Sequence, residues 1–224
     1  MHLTTIAHIH TDFREKFGTP RQAGLVPDVV GRIVFTPEFR NPDFLRGITD
    51  FSYLWLLWGF SLNRPVSSRP TVRPPRLGGN RRMGVFATRS PYRPNPIGLS
   101  CVRLLGLQDS DEGPVLLVSG VDMVDGTPLY DIKPYLPYAD AHPQAAGGFT
   151  DLHERHLLSV TLPPDLDLPK DLDAWNALLD VLAQDPRPAY NHDPNRIYGL
   201  SFASFNVRFQ VDDTTHILTL LSVE

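Results

Sequence analysis

A mostly β protein, with a barrel-like N-terminal domain and a small α+β C-terminal domain, is predicted from three features of the sequence. The 224 residues include 22 prolines, which interrupt helices and confine β-ladders to short pieces. The first two thirds carry six short runs rich in β-branched, leucine or aromatic residues, each bounded by Gly, Pro, Asn or Asp. Near the C-terminus, residues 169–184 instead place apolar side chains at helical spacing.

The predicted strands of the first domain are Leu3–His10, Gly31–Phe35, Phe51–Phe60, Met83–Thr88, Ile97–Leu107 and Val115–Val121. Their proline-rich connections and scarcity of helix favour a closed or nearly closed barrel, because closure removes unpaired edges; an open sandwich is the alternative. Residues Leu136–His153 show no period and are rich in Ala, Gly and Pro, which marks a boundary. The reading is a barrel domain over residues 1–145 and a second domain over residues 154–224. In the latter, Leu157–Leu162 is a predicted strand. Pro169–Gln184 is a predicted helix with Leu172, Trp175, Leu178, Leu179 and Leu182 on one face. Pro169 suits its first turn, and Asp171 and Asp173 suit the positive end of its dipole. Arg196–Val211 and His216–Ser222 are two further predicted strands, giving a β-α-β-β module. Phe205, Val207 and Phe209 fall on one face of the first, Asn206 and Arg208 on the other.

Charge is segregated along the chain. Between Phe51 and Gln108 there are nine arginines, no lysine and no acid, whereas the net charge of the whole is −4. This concentrates positive field on one segment, which suits a phosphate or polyanion, and the planar guanidinium grips phosphate through two hydrogen bonds. The alternative is that these arginines pair with acids from other segments. Cys101 is the sole cysteine, so no intrachain disulfide and no cysteine-based zinc site is expected. The eight histidines lack metal-ligand spacing, and no metal is expected. The start of the chain does not read as a signal peptide, and the longest apolar run, Tyr53–Phe60, is too short to span a bilayer. A soluble, cytoplasmic protein is expected. There is no P-loop, no G-x-G-x-x-G and no G-x-S-x-G, so Walker nucleotidase, Rossmann cofactor and serine acyl-transfer chemistries are not indicated.

Three segments concentrate polar groups on stiff backbone. Arg69 to Asn80 is a long loop in which prolines hold arginines extended. Gly84 to Ser100 runs from strand to a turn of three prolines and back, fixing Arg89, Ser90, Arg93 and Asn95 in direction, with little entropy left to lose on binding. Val121 to Tyr138 contains Asp125-Gly126, a turn signal between strands. Asp122, Asp125 and Asp131 there could accept from ribose hydroxyls or an amine, or could form turns. In the C-terminal half, Asn206, Arg208 and nearby Arg187 form a candidate edge for RNA, although an ordinary amphipathic strand accounts for them equally.

Glu15-Lys16-Phe17-Gly18-Thr19-Pro20-Arg21-Gln22, Arg73 to Asn80, Gly84 to Ser100, and Asp125-Gly126-Thr127-Pro128 through Asp131-Ile132-Lys133-Pro134-Tyr135 resemble the TsaA-like (TrmO, YaeB) family. Asp185-Pro186-Arg187-Pro188-Ala189-Tyr190 and Phe205-Asn206-Val207-Arg208 extend the resemblance to the bacterial form with its extra C-terminal domain, in the same order over nearly the whole chain. The resemblance implies a β-barrel tRNA methyltransferase, homodimeric, with the cofactor near the subunit interface. It would use S-adenosyl-L-methionine to methylate the exocyclic amine of threonylcarbamoyladenosine beside the anticodon. Carried over by motif, cofactor contacts are expected at Pro20, Arg21, Gln22, Ser61, Leu62, Arg89, Leu99, Asp122, Met123, Val124 and Asp125. Catalytic roles are expected at Arg89, Asp122 and Asp125, with the proton acceptor open between Asp122, Asp125 and a backbone carbonyl. RNA contacts are expected at Arg73, Arg76, Arg93, Asn95, Lys133, Arg187 and Asn206. Relatives place a histidine after the apolar strand where this chain has Phe60-Ser61-Leu62-Asn63, so Ser61 is a smaller partner there. The alternatives are a non-enzymatic RNA- or anion-binding barrel, and a methyltransferase of the same family acting on another RNA or a small molecule.

Overall fold

The structure, a computed structural model, describes residues 2–63, 70–74, 77, 81–152, 156–166, 169–188, 191 and 193–224. Six strands close a barrel: β1 (Ala7–Thr11), β2 (Val30–Phe35), β3 (Tyr53–Gly59), β6 (Ile97–Ser110), β7 (Gly113–Ser119) and β8 (Thr127–Pro134), in the order β1-β2-β7-β6-β3-β8. Every neighbouring pair is antiparallel. Alternate residues turn inward, as the two-residue period of a strand requires. Ile9, Ile33, Leu54, Leu56, Leu116, Val118, Val102 and Leu129 are buried and fill the interior. The outer face of β6 stays open, with Leu99 53% and Leu105 47% exposed.

Two short strands, β4 (Thr71–Val72) and β5 (Met83–Gly84), pair with each other. The strand expected at Met83–Thr88 therefore stops after two residues. Val85–Ala87 form a 3-10 turn in which the Thr88 amide and hydroxyl both donate to the Val85 carbonyl. The local hydroxyl offers the backbone an alternative to the ladder. After β8 come a single-turn helix, α1 (Pro137–Asp140), then β9 (Ser159–Thr161), α2 (Leu172–Ala183), β10 (Tyr198–Phe202), β11 (Phe205–Asp212) and β12 (Ile217–Val223). These last strands form a sheet ordered β10-β11-β12-β9. Asp171 caps α2, accepting from the Ala174 amide at 3.1 Å, which satisfies one of the helix's orphan donors. The helix buries Trp175, Ala177, Leu178, Val181 and Leu182.

The strand expected over Arg196–Val211 is a hairpin. Phe202 pairs with Phe205, and Ala203 between them takes a left-handed backbone with φ 50°. No glycine or asparagine stands there to announce such a turn. On β11 the burial alternates as expected, with Phe205, Val207 and Phe209 inside and Asn206 and Arg208 outside. The chain divides into two compact units, Met1–Asn63 with Ile97–Leu136, and Arg64–Pro96 with Pro137–Glu224. No helix among the described residues is long and apolar enough to cross a membrane.

Candidate active site at one end of the barrel

Antiparallel closure sends β1, β3 and β7 toward one end of the barrel and starts β2, β6 and β8 from it. Three connections therefore open at that end: residues 12–29, residues 60–96 and residues 120–126. They contain Pro20, Arg21, Gln22, Ser61, Leu62 and Asp122 to Asp125, and Leu99 is the third residue of β6, which begins there. Residues far apart in sequence are thus gathered by topology.

The first connection is pinned on two sides. Phe13, Val26 and Val29 are each 1% exposed. The Gly24 amide donates to the Gly120 carbonyl at 2.8 Å, and the Gly120 amide donates to the Val29 carbonyl at 2.9 Å. Gly120 has φ 76°, a conformation that a side chain would strain. Lys16 Nζ donates to the Leu62 carbonyl at 2.7 Å and also to Asn63 Oδ1, tying this connection to the turn after β3. Pro20 is buried, Gln22 half-buried and Arg21 exposed. Ser61 and Leu62 are exposed.

The 120–126 connection is held from β1. The Asp125 amide donates to the Phe13 carbonyl at 2.8 Å, and Thr11 Oγ1 donates to the Met123 carbonyl at 2.9 Å. Asp125 Oδ1 accepts from the Thr11 amide at 3.1 Å and lies 3.0 Å from His10 Nδ1. Met123 is 1% exposed, so its side chain is core and only its backbone is presented. Asp122 is half-buried, and its Oδ1 accepts from Ser100 Oγ at 2.6 Å. Ser100 Oγ in turn accepts from Trp58 Nε1 at 2.9 Å. Ser100, Trp58, Thr11, His10 and Lys16 were not singled out as functional by sequence. Ser100 closes the proline-rich motif and Lys16 is the second residue of the Pro20 motif, but the pairings that join Ser100 to Asp122 and Lys16 to Leu62 have no local signal.

In the second unit the proline-rich turn is braced by its own hydrogen bonds. Ser90 and Tyr92 amides donate to Thr88 Oγ1 and Ser90 Oγ at 3.3 and 3.2 Å, and Arg93 Nη1 donates to the Thr88 carbonyl at 3.1 Å. Arg89 and Asn95 are exposed. Arg73, Arg81 and Arg82 are exposed too, and among the described residues none of the three forms an ion pair. Arg76 lies outside the described residues.

Three expected RNA contacts have other surroundings. Arg187 is 4% exposed, donates to Asp185 at 2.8 and 2.9 Å and to Asp213 at 2.6 Å, and is buried structure rather than an RNA-facing edge. Lys133 lies near the end of β8, away from the 120–126 connection, and pairs with Asp131 at 2.7 Å. Asn206 is exposed on β11, its Oδ1 accepting from Ser201 Oγ at 2.6 Å. Among the described residues no group of three or more His, Cys, Asp or Glu could hold a metal ion.

Two family models match the chain: the tRNA-methyltransferase O N-terminal domain over residues 8–141, and the TrmO C-terminal domain over residues 165–224. The tRNA (adenine(37)-N6)-methyltransferase of Escherichia coli K12 is 41% identical over 216 residues, covering 93% of this chain and 92% of its own. A Pseudomonas aeruginosa protein, RcsF, named as a proposed S-adenosylmethionine-dependent methyltransferase, is 39% identical over 92% of this chain and 91% of its own. Among solved structures, TrmO from Pseudomonas aeruginosa superposes with a TM-score of 0.75 at 32% identity, covering 100% of this chain and 98% of that one. With its closed six-stranded barrel and its matches to both domain models, the chain belongs to the TrmO family.

Proposed function

We propose that this protein is an S-adenosylmethionine-dependent tRNA methyltransferase acting on the exocyclic amine of threonylcarbamoyladenosine beside the anticodon. The observation that carries the reading is the convergence of three connections at one barrel end, two of them holding the carboxylates and apolar side chains that the cofactor would need. The donor set fits that cofactor. Asp122 and Asp125 would supply negative charge for its cationic groups, and exposed Leu62 and Leu99 would offer apolar surface. Pro20, Arg21, Gln22, Ser61 and the backbone of Met123 and Val124 complete the proposed cradle. When bound, the cofactor supplies a methyl group already activated on sulfur.

The protein's own task is then orientation: the amine nitrogen must be held in line behind the methyl carbon. Asp122 is the proposed acceptor of the amine hydrogen, because Ser100 already holds it in place. Asp125 is engaged with the Thr11 amide and His10 and fastens the connection. Arg89 is assigned to the threonyl carboxylate, whose planar shape a guanidinium matches. An anticodon-loop base is single-stranded, so drawing it out costs less than from a duplex. Arg73, Arg76, Arg93 and Asn95 are proposed RNA contacts. Residues 1–145 are proposed as the cofactor-binding domain and residues 154–224 as the C-terminal domain, which the two family-model spans support. Exposed Tyr53, Ile97, Leu99, Leu105 and Leu107 on β3 and β6 support a homodimer that covers them. A cytoplasmic location is proposed, as tRNA modification requires.

The test is transfer of labelled methyl from S-adenosylmethionine to tRNA bearing or lacking threonylcarbamoyl. Label is expected on the modified tRNA alone, and Arg89→Ala is expected to abolish it. Transfer to neither tRNA would leave a binding role; equal transfer to both would refute the assigned substrate.

A further inference from the structure

We propose that Ser100 is a positioning residue for Asp122 and that Trp58 sets the direction of its hydrogen bond. This rests on the assignment of Asp122 as the group that accepts the amine hydrogen. An indole N–H donates and cannot accept. Trp58 Nε1 donates to Ser100 Oγ at 2.9 Å, so the serine proton is left to point elsewhere. It points to Asp122 Oδ1 at 2.6 Å, a short bond of the kind made to an ionised acceptor. Ser100 is 2% and Trp58 7% exposed, so bulk water does not compete for the Trp58–Ser100 bond. The packing commits the indole as well. Gly98, two residues before Ser100 on the same face of β6, lies so close that a Cβ there would stand 2.1 Å from Trp58 Cε2.

The polarity of this chain has a chemical consequence. A hydrogen bond donated to a carboxylate favours its ionised form. Asp122 is therefore kept as an acceptor and in one orientation. The serine bond takes one of a carboxylate's about four lone-pair sites. The ionised form is also the one that complements a sulfonium. A buried serine whose only task was to satisfy the indole would leave Asp122 indifferent to its loss.

The experiment compares the full-length wild type with Ser100→Ala, Ser100→Thr and Ser100→Cys. In methyl transfer to modified tRNA, Ser100→Ala is expected to lower kcat about ten- to hundred-fold, with KM for tRNA within about two-fold of wild type. The acidic limb of its pH–rate profile moves to higher pH. Ser100→Thr, which keeps the hydroxyl, restores most of the rate. A second readout needs no turnover: the Asp122 carboxyl carbon is followed by NMR against pH. Its midpoint should rise by about half a pH unit or more in Ser100→Ala. Ser100→Cys, nearly isosteric and a weak donor, carries the same comparison should the alanine variant not fold, and its midpoint rises by less. An unchanged kcat and acidic limb in Ser100→Ala, or an Asp122 midpoint identical to wild type in the folded variants, overturns the proposal. If the wild type itself transfers no methyl, the assigned activity fails, while the NMR comparison still decides whether Ser100 governs Asp122.

Discussion

Arg187 carries a charge into the interior of the second unit and keeps it there. Its Nε and Nη2 donate to Asp185 at 2.8 and 2.9 Å, and Nη2 also reaches Asp213 at 2.6 Å. Burial works against the charged guanidinium, but hydrogen bonds and attraction from Asp185 and Asp213 outweigh it and hold the pKa above the ordinary arginine range. Removing Arg187 leaves Asp185 and Asp213, 33% and 38% exposed, for water to resolvate in part, so the cost is about 1–3 kcal/mol, below that of a fully buried pair. Arg187→Met is therefore expected to lower the thermal midpoint by roughly 2–12 °C, measured by differential scanning calorimetry. Affinity of the folded variant for S-adenosylmethionine should match wild type. Loss of tRNA binding with no loss of stability would restore Arg187 to the RNA surface. Sequence reading could not make this distinction. The local pattern shows an arginine among prolines, and the carboxylate that completes its cage is 26 positions further along the chain.

At the scale of elements, the turn between β11 and β12 and the contact between β3 and β6 each make a testable claim. Asp212 accepts from the Thr214 amide at 2.8 Å and from Thr215 Oγ1 at 2.9 Å. The Thr214 backbone bond, followed by the Thr215 side chain, lowers its pKa below the usual carboxylate value. A depressed folded value contributes stability above the unfolded pKa, and that contribution is lost as pH falls through the folded one. The difference in thermal midpoint between wild type and Asp212→Asn should therefore be largest near neutrality and narrow as the pH falls below about 4. A gap that widens with acid would refute the sign. In the barrel, Gly98→Ala would drive a methyl into the buried indole of Trp58. Overpacking of this kind costs about 1–3 kcal/mol, so a fall of about 2–12 °C in thermal midpoint is expected, with loss of the Trp58–Ser100 bond in a crystal structure. Most elements were legible because burial alternates along them, as on β11, or recurs at helical spacing, as on α2. The β10–β11 hairpin was not, because Ala203 adopts a left-handed backbone without the residue types that normally signal it. The short β5 was not, because Thr88 redirects the chain by bonding locally to Val85.

At the scale of the molecule, the site and the charge pattern were legible to different depths. The motifs around Pro20, Arg89 and Asp125 lie in contiguous sequence and could be read there. The Trp58–Ser100–Asp122 chain joins three strand ends through pairings 42 and 22 positions apart, and only the closed barrel brings them together. Charge needs no fold to be counted, but its availability does. The alternative that the arginines of residues 51–108 pair with distant acids is tested at Arg73, Arg81, Arg82 and Arg103, all exposed and, among the described residues, without an ion pair. Their charge remains for an outside anion. A cation that neutralises one phosphate releases about 0.7–0.9 counterions, and the slope of log affinity against log salt falls accordingly when it is removed. Replacing Arg73, Arg81 and Arg82 together by Ala should therefore weaken tRNA binding and reduce the magnitude of that slope by about 2–3, measured by titration across a salt series. Because all three are exposed, the thermal midpoint should stay within about 2 °C of wild type. None of the three is among the proposed cofactor contacts, so S-adenosylmethionine affinity should be unaffected. An unchanged salt slope would mean that the positive segment does not meet the RNA backbone at these side chains, and the electrostatic account of tRNA capture would have to be rebuilt around other residues.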